Sequence, residues 1–519
     1  MPGPLARRSF LTAAGSVAWA ATAGRVCCAA APKRSDRLNV LFLMTDEQHH
    51  RSLSMTGNRY IETPNMDRIG REGACFDNAT CVTPYCSPSR ASLITGVYPH
   101  RHRILVNVDG RRPEQAPLAQ NAFPNTETLL HGQGYATAHR GKWHLGNIGD
   151  FDCYEQRAYA GASNPEFGRW LQQRVPKEQF AKHRSPGKYM DRPVEMIPAV
   201  ERGFHEFHKD FQGKANRVAY ISTIGRSLIP PDSLPETRIT NDVLDLIDRH
   251  ADENFMITAS WSPPHDLWVI PEPYYSLVDR RRIELPGTPD LPDWDREGPS
   301  RRLGSLVGEE GLREYAAIYH GMVKYIDDQL GRILKKLDER GLAENTLVIF
   351  TTDHGDMVGA HGCVGKSIFG FYDDLVRIPM VMRVPGRIRP GTRLNQPVSQ
   401  VDLMPTILDY LGQKVPQPIH GQSLRPLLEG RSTAWRDYAF CQRADAGRML
   451  RTERWKYFYR GKNKIVALYD LQNDPHEDRN LAADPRHAAQ VRALHARLLQ
   501  VMQADGDPLA ERFPADPLA

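Results

Sequence analysis

The segment LNVLFLMTDE, residues 38–47, is an unbroken apolar run that ends in Thr, Asp and Glu. Apolar runs without polar alternation are typical of strands that a parallel sheet buries on both faces. The segment NTLVIFTTDH, residues 345–354, has the same pattern and ends in Asp and His. Because the carboxyl ends of parallel strands meet at one edge of a sheet, we expect the two polar endings to lie close together.

Two further apolar segments end in the same way. FMITASW, residues 255–261, is followed by His265, and YATAH, residues 135–139, is followed by Lys142 and His144. Both segments are rich in the β-branched, aromatic and small apolar residues that short buried strands contain. We therefore expect four polar clusters, from four strands, at one edge of a single sheet.

Helical patterns separate these strands, and the clearest covers residues 314–341, where apolar residues recur every three to four positions. Strands that alternate with helices predict an α/β fold with a large mixed, mostly parallel sheet sandwiched by helices. The aromatic run RWKYFYR, residues 454–460, predicts one strand of a short antiparallel sheet. We therefore expect a large α/β domain over residues 32–430 and a smaller C-terminal α+β subdomain over residues 431–519.

The composition is that of an ordinary globular protein of 519 residues, of which 40% are hydrophobic and 25% are charged. The net charge of +5 is small beside 67 basic and 62 acidic residues, so we expect no binding to nucleic acid, which needs a concentrated basic patch. The eight cysteines match no zinc-binding spacing. Six of them follow the N-terminal segment: Cys75, Cys81, Cys86, Cys153, Cys363 and Cys441.

The N-terminal segment RRSFLTAAGSVAWAATAG, residues 7–24, resembles a twin-arginine export signal, and residues 1–31 form the expected signal peptide. Its apolar run is shorter than the span of about 20 apolar residues that crosses a membrane, so we expect no stable membrane span. Lipid attachment at Cys27 or Cys28 is the weaker alternative, because Arg25 interrupts the small apolar residues before them. The resemblance implies export of folded protein by the twin-arginine translocase to the periplasm or the exterior.

The segment CVTPYCSPSRASLITG, residues 81–96, predicts a short helix. Ser87 suits the N-cap, Pro88 the first helical position and Gly96 the C-terminal stop. This interpretation leaves Cys86 just outside the helix N-terminus, where unpaired N–H groups and the helix dipole favour negative charge. The position is therefore suited to a reactive group or to a bound anion.

The polar ends of the first two strands offer mainly oxygen ligands: Asp46 and Glu47 follow one strand, and Asp353 and His354 follow the other. A single acidic residue at such a position is more often a turn or helix-cap carboxylate than a ligand. Two acidic endings on matched strands make coincidence a weaker explanation. Such ligands suit a hard cation, Ca²⁺ or Mg²⁺, better than zinc.

Four segments in order carry a family resemblance: CSPSR (86–90), GKWHLG (141–146), SPPHDLWVIPEPY (262–274) and TTDHGDMVGAHGCVGK (351–366). Together they resemble the type I sulfatases of the alkaline phosphatase superfamily, over almost the whole chain after the signal. The resemblance implies the alkaline phosphatase-like fold. It also implies a sulfuric ester hydrolase that converts a sulfate ester, of a carbohydrate or an aryl alcohol, into the alcohol and inorganic sulfate.

The resemblance further implies that a separate maturation enzyme oxidises the side chain of Cys86 to formylglycine. The hydrated aldehyde then has two hydroxyls, one to attack sulfur and one to expel sulfate afterwards, which divides one difficult displacement into two easier steps. The family also binds one divalent cation, here Ca²⁺ with Mg²⁺ or Mn²⁺ as alternatives. The implied ligands are Asp46, Glu47, Cys86, Asp353 and His354.

The catalytic residues that the resemblance implies are Cys86, Arg90, Lys142, His144, His265 and Lys366. Lys142 and Lys366 would bind sulfate oxygens, and His265 would donate a proton to the leaving oxygen. His144 would act as the base for the second hydroxyl. Arg90, one helical turn after the nucleophile, would reach back to the diol or to the metal ligands.

Two positions depart from the family pattern. The residue after the first aspartate is usually Asp or Gln in the family, whereas it is Glu47 here, and Asp356 stands where Glu is frequent. His100 and Asn107 are weaker candidates, for supporting or substrate contacts.

Three alternative functions remain open on the sequence. The nearest is a phosphate or phosphonate ester hydrolase of the same superfamily, which shares the metal and the diol. A non-catalytic, Ca²⁺-dependent glycan-binding protein is disfavoured because the catalytic residues are all present, and a thiol hydrolase would use unmodified Cys86. Irregular basic stretches at residues 151–231 and 279–302 are expected to shape the pocket, and their charge fits a sulfated glycan.

Overall fold

The computed structural model of the chain describes residues 37–108, 123–146, 194–210, 223–285, 298–366, 370–431, 433–444, 447–461 and 464–518. The expected signal peptide, residues 1–31, and Cys153 lie outside the described residues. So do large parts of the two basic stretches. Their predicted roles therefore stay predictions.

Sixteen strands are described. They are β1 (Asn39–Asp46), β2 (Ala74–Phe76), β3 (Ala79–Thr80), β4 (Ala136–Gly141), β5 (Val194–Glu195), β6 (Ile224–Ser227), β7 (Phe255–Pro264), β8 (Trp268–Ile270), β9 (Thr346–Thr352), β10 (Met380–Arg383), β11 (Thr392–Leu394), β12 (Val398–Ser399), β13 (Ala439–Arg443), β14 (Gly447–Arg451), β15 (Trp455–Arg460) and β16 (Ile465–Asp470).

The described α-helices vary from single turns to one of 41 residues. They are α1 (Pro64–Arg71), α2 (Cys86–Thr95), α3 (Pro99–His102), α4 (Thr126–His131), α5 (Pro198–Asp210), α6 (Pro235–Arg249), α7 (Pro299–Glu339), α8 (Asp373–Val376), α9 (Leu403–Tyr410), α10 (Arg425–Leu428) and α11 (Ala488–Ala504). None of these helices combines the length and the apolar character that a membrane crossing requires.

A seven-stranded sheet organises the larger part of the chain, with the strand order β11, β2, β10, β9, β1, β7, β4. Strands β9, β1, β7 and β4 pair in parallel, β10 runs antiparallel to both of its neighbours, and β11 is parallel to β2. The prediction of a large mixed, mostly parallel sheet is therefore confirmed. The four strands that were expected to carry polar endings are the four consecutive parallel ones.

Strand β1 explains why the opening segment is apolar without alternation. Leu41 and Leu43 face one apolar core, which also receives the long helix α7, and both side chains are fully buried. Val40, Phe42 and Met44 face a second core on the other side of the sheet, where at most 3% of each side chain is exposed. Because both faces are covered, the centre of this strand, from Val40 to Met44, is apolar on both sides.

Helix α7 is longer than its sequence pattern predicts. It begins at Pro299, after Gly298, rather than at residue 314, and it bends at Gly308, whose φ is +67°. The glycines and charges before residue 314 hide the apolar repeat from a pattern search. The predicted end is confirmed, since the helix stops at Glu339 and Gly341 has a φ of +62°.

The C-terminal part contains an antiparallel sheet of four strands in the order β13, β14, β15, β16. The predicted aromatic strand is β15, which pairs with both β14 and β16. Helix α11 packs against this sheet through apolar residues that include Val491, Leu498 and Met502, all fully buried. This architecture agrees with the expected α+β region.

Candidate active site

Four strand ends of the central sheet meet at one edge, as the sequence predicts. Strand β1 ends in Asp46, and its neighbour β9 is followed directly by Asp353 and His354. Helix α2 brings Cys86 to the same place. One ligand atom from each of these four residues lies within 4.8 Å of those of the others, and all four side chains are fully buried.

The start of helix α2 differs from the prediction. Cys86 is the first helical residue, and Tyr85 is the N-cap. The hydroxyl of Ser87 makes no capping bond, because it donates to the carbonyl of His144 at 2.6 Å and accepts the backbone N–H of Val108 at 2.9 Å. The backbone N–H of Ser87 instead donates to Oδ1 of Asn107 at 3.1 Å, so a distant loop performs the capping. Cys86 is therefore held in the first turn, where the positive end of the helix dipole acts most strongly.

Charged and polar groups surround the sulfur of Cys86. It lies 3.6 Å from Oδ1 of Asp46, 3.4 Å from Nε2 of His354 and 3.5 Å from Nζ of Lys366. Burial and Asp46 act to raise the pKa of the thiol, but Lys142 and Lys366 outweigh them, and the pKa falls well below its ordinary value. The surroundings therefore favour negative charge at this position.

Arg90 lies one helical turn after Cys86 and joins the two aspartates. Its Nε donates to Oδ2 of Asp353 and its Nη2 donates to Oδ2 of Asp46, both at 2.8 Å. Its Nη1 donates to the carbonyl of Lys142 at 2.8 Å and to Oγ of Ser260 at 2.9 Å. The side chain is only 3% exposed, so it fixes the carboxylates and the Lys142 segment with little freedom to move.

Two lysines approach the cysteine from different segments. Nζ of Lys142 lies 2.6 Å from Oδ2 of Asp46. Nζ of Lys366 lies 3.3 Å from both Oε2 of Glu47 and Nε2 of His265. Each lysine side chain keeps a small exposed fraction, 16% and 21%, so both face the open side of the site. The pair could neutralise a bound dianion.

The two histidines of the predicted set differ in their surroundings. Burial lowers the pKa of His144, although a hydrogen bond with Cys86 opposes the effect. For His265, burial also acts to lower the pKa, but the carboxylates of Asp266 and Glu47 raise it well above its ordinary value. His144 is therefore suited to accept a proton and His265 to donate one.

The predicted metal ligands fit a divalent cation. Burial, and then the charge of Asp46, raise the pKa of Asp353 to about 6, so two carboxylates repel each other in a space from which water is excluded. Nδ1 of His354 lies 2.9 Å from the carbonyl of Gly355, which can only accept, so a neutral His354 presents an unprotonated Nε2 to the cluster. A cation would relieve the repulsion and use this nitrogen.

Glu47 occupies a separate position beside this cluster. Its carboxylate belongs to a second group, with Asp46 and His265, whose ligand atoms also lie within 4.8 Å of one another. The backbone of Glu47 has a φ of +66°, an unfavourable conformation for a side chain of this type. The hydroxyl of Tyr315 donates to Asp356, and burial and then the charge of Glu47 raise the pKa of Asp356 well above its ordinary value. The two departures from the family pattern, one longer by a methylene and one shorter, therefore interact through their charges.

Several residues around the site have no sequence signal that would have identified them. Gln400 donates to the carbonyls of Thr352 and Asp353 at 2.9 and 2.8 Å, and its Oε1 accepts from Oγ of Ser89 at 2.6 Å. The sequence gives a weak signal only for Ser260, a polar residue inside an apolar strand. Of the weaker candidates, His100 contacts Oε1 of Gln442 at 2.8 Å in the C-terminal sheet rather than the site.

The comparisons with known proteins agree with this geometry. The profile of the sulfatase family matches residues 38–413, and that of the C-terminal part of N-sulphoglucosamine sulphohydrolase matches residues 359–504. An arylsulfatase of Clostridium perfringens is 26% identical, with 92% of this chain and 98% of that protein covered. An N-acetylglucosamine-6-O-sulfatase of Bacteroides thetaiotaomicron is 28% identical, with 93% and 89% covered.

Among solved structures, the phosphonate monoester hydrolase of Silicibacter pomeroyi is similar, with a TM-score of 0.71 and 23% identity, over 90% of this chain and 96% of that one. At this identity the likeness establishes the fold alone, which is the predicted alkaline phosphatase-like fold. The family profile covers most of the described sheet and all of the segments that form the site. The chain belongs to the sulfatase family, among the type I sulfatases of the alkaline phosphatase superfamily, and is a sulfuric ester hydrolase.

Proposed function

We propose that the protein hydrolyses a sulfate ester of a carbohydrate, using formylglycine formed from Cys86 and one bound divalent cation. The observation that carries the proposal is the position of Cys86, whose sulfur faces a carboxylate, an imidazole and an ammonium group within 3.6 Å. A structural cysteine would be surrounded by apolar side chains, as free buried cysteines usually are. Formylglycine supplies two hydroxyls on one carbon, one as the nucleophile and one for the release of sulfate.

Asp46, Asp353, His354 and the modified side chain at position 86 are the proposed ligands of the cation, with Glu47 at the edge of the same group. Ca²⁺ is the proposed ion because the donors are mainly carboxylate oxygens, and Mg²⁺ or Mn²⁺ are the alternatives. When bound, the cation supplies Lewis acidity and neutralises negative charge on the sulfate group.

The remaining residues act on the substrate and on protons. Lys142 and Lys366 bind and orient the sulfate oxygens, which is supported by the partial exposure of both side chains and by the action of both charges on Cys86. His265, with its raised pKa, gives its proton to the leaving alcohol oxygen. His144, with its lowered pKa, takes the proton whose loss allows sulfate to depart. Arg90 keeps the two aspartates in place.

A carbohydrate substrate is supported by the relatives. One similar protein is an N-acetylglucosamine-6-O-sulfatase, and the matching C-terminal profile belongs to an enzyme of N-sulphoglucosamine. The test is turnover of matched pairs: N-acetylglucosamine 6-sulfate against its 6-phosphate, and 4-nitrophenyl sulfate against 4-nitrophenyl phenylphosphonate. The proposal predicts release of inorganic sulfate from the sugar sulfate at the highest kcat/KM of the four. A higher kcat/KM on the phosphorus esters would contradict it and support the phosphonate alternative.

We further propose the domain organisation that the sequence predicts. Residues 1–31 would be removed after export by the twin-arginine translocase, residues 32–430 would form the catalytic domain and residues 431–519 the C-terminal subdomain. A periplasmic or secreted enzyme would meet extracellular sulfated glycans. Fractionation of the host cells, with a variant in which Arg7 and Arg8 are replaced by lysine, tests the export step: the variant is expected to stay in the cytoplasm.

A further inference from the structure

The end of strand β13 carries a buried arginine without an acidic partner. Arg443 is 8% exposed, and its Nη1 lies 3.5 Å from the carbonyl of Gly370, a distance at the outer limit of a hydrogen bond. Its guanidinium carbon lies 5.5 Å from the centre of the Tyr85 ring. Burial lowers the pKa of Arg443 and the nearby charge of Arg460 adds to this effect, although Tyr85 opposes it. Among the described residues, no carboxylate forms an ion pair with it.

The other buried arginines of the described chain are arranged differently. Each of them forms an ion pair with at least one carboxylate, as expected because a desolvated, unpaired charge is costly. The pairs are Arg90 with Asp46 and Asp353, Arg383 with Glu72, Arg448 with Asp507, and Arg451 with Asp373. Arg443 is thus an exception among the buried arginines of the described chain. An unpaired buried cation of this kind is suited to an anion that comes from outside the chain.

Both neighbours of Arg443 belong to segments that carry the proposed catalytic residues. Tyr85 is the residue directly before Cys86 and the N-cap of helix α2. Gly370 lies four positions after Lys366. The guanidinium, which comes from strand β13 of the C-terminal sheet, therefore lies beside the residue that precedes Cys86 and beside the segment that follows Lys366. A substituent on the same sugar, or on its neighbour, is the part of a substrate that would extend in this direction.

We propose that Arg443 binds a second anionic group of the substrate, a carboxylate or a second sulfate on the sulfated saccharide. This inference rests on the proposed function and specifies its substrate class: a saccharide with at least two negative charges. Carboxylate and sulfate each present two oxygens that a guanidinium can bind with two parallel hydrogen bonds. Folding already removes water from the guanidinium of Arg443, so less desolvation free energy opposes the binding of the ligand.

The first test compares Arg443→Gln and Arg443→Lys with the parent enzyme on three substrates. They are N-acetylglucosamine 6-sulfate, with one charged group, glucosamine 2-N,6-O-disulfate, with two sulfates, and a singly sulfated disaccharide that contains a uronate. Arg443→Gln is expected to lower kcat/KM about 10- to 100-fold for the substrate with the matching second anion, and less than about twofold for the singly charged one. Arg443→Lys should lie between, because lysine keeps the charge without the paired geometry.

The two doubly charged substrates show which anion is recognised, since only one of them should respond strongly. An equal loss on all three substrates, or no loss on any, would overturn the inference. Arg486→Gln serves as the control: this arginine is 75% exposed and, among the described residues, forms an ion pair with its neighbour Asp484 alone, so kcat/KM should not change. Thermal unfolding separates binding from folding, because loss of an unpaired buried charge is expected to leave the Tm unchanged or higher, whereas a structural arginine would lower it.

A second measurement makes the inference independent of turnover. The Cys86→Ala variant lacks the proposed nucleophile, so the affinity of the same three saccharides can be measured by calorimetry without hydrolysis. Adding Arg443→Gln should weaken binding of the matching doubly charged saccharide about tenfold or more and leave that of the singly charged one unchanged. Equal affinities before and after the change would refute the role of Arg443, even if sulfate release by the parent enzyme is confirmed.

Discussion

Gly141 is the position where a single methyl group should do most damage to the site. It ends strand β4, its φ is +98°, and a Cβ placed there would lie 1.9 Å from the carbonyl oxygen of Ser260. That carbonyl accepts the backbone N–H of Lys142 at 2.8 Å, so it cannot turn away without losing this bond. The Gly141→Ala variant must therefore separate β4 from β7 at the point where Lys142 is held.

The loss of stability in the Gly141→Ala variant follows from these contacts. A side chain at positive φ costs about 1–2 kcal/mol, which a more restricted unfolded chain offsets by about 0.4–1 kcal/mol. Loss of the bond between Lys142 and Ser260, with a buried carbonyl left unsatisfied, adds about 1–3 kcal/mol. We expect Gly141→Ala to lower the free energy of unfolding by about 2–4 kcal/mol in urea titrations. If Lys142 moves by about 1 Å, kcat/KM for a sulfate ester should fall about 100-fold.

Gly134 provides the matched control. Its φ is +83°, but a Cβ there would meet no atom within 4 Å, so Gly134→Ala carries the backbone strain without the clash. It should cost about 1 kcal/mol of stability and leave kcat/KM unchanged. If the two variants lose the same stability, or if Gly141→Ala keeps full activity, the argument that this close approach positions Lys142 is refuted.

The remaining predictions concern charge. Glu127→Gln should lower the free energy of unfolding in urea titrations by about 1.5–3 kcal/mol, because the Glu127 carboxylate accepts a hydrogen bond from buried His139 at 3.1 Å. An unchanged midpoint of urea unfolding would count against a stabilising role of this pair. Incubation with a chelator should abolish sulfate release and added Ca²⁺ should restore it; full activity in the metal-free protein would count against the cation. Asp507→Asn leaves Arg448 buried without its partner and should lower stability by about 3–5 kcal/mol at pH 7. The ion pair with Arg448 lowers the pKa of Asp507 in the folded protein. The stabilisation by this pair is therefore complete above the ordinary pKa of aspartate and is lost as the pH falls through the lower pKa of the folded state. The Tm values of the parent and the variant should accordingly converge in acid.

The central sheet could be predicted from the sequence because each of its strands is indicated by the pattern of its own residues. Strands buried on both faces, such as β1 and β9, are apolar through their central positions, and polar residues mark the end of the strand. Parallel pairing then brings Asp46 and Asp353 together without any knowledge of the loops. The proposed metal ligands can therefore be predicted from the sequence pattern alone.

The surroundings of the site could not be predicted in this way. The capping of helix α2 by Asn107 depends on where a loop 20 residues away returns, and no local pattern records it. The same is true of Gln400, which holds the chain at Asp353 from another part of the fold. Arg443 is one of many arginines in the sequence, and its unpaired state becomes visible only when the partners of the other buried arginines are known.

The most direct test of the account measures the fraction of Cys86 converted to formylglycine against the rate of sulfate release. Conversion lowers the mass of the peptide that contains residue 86 by about 18 Da, so mass spectrometry gives the fraction in each preparation. Preparations made with increasing amounts of the maturation enzyme should show a specific activity that rises in proportion to this fraction and is zero without it. Activity that is independent of the fraction, or full activity in protein that contains only cysteine, would contradict the central claim.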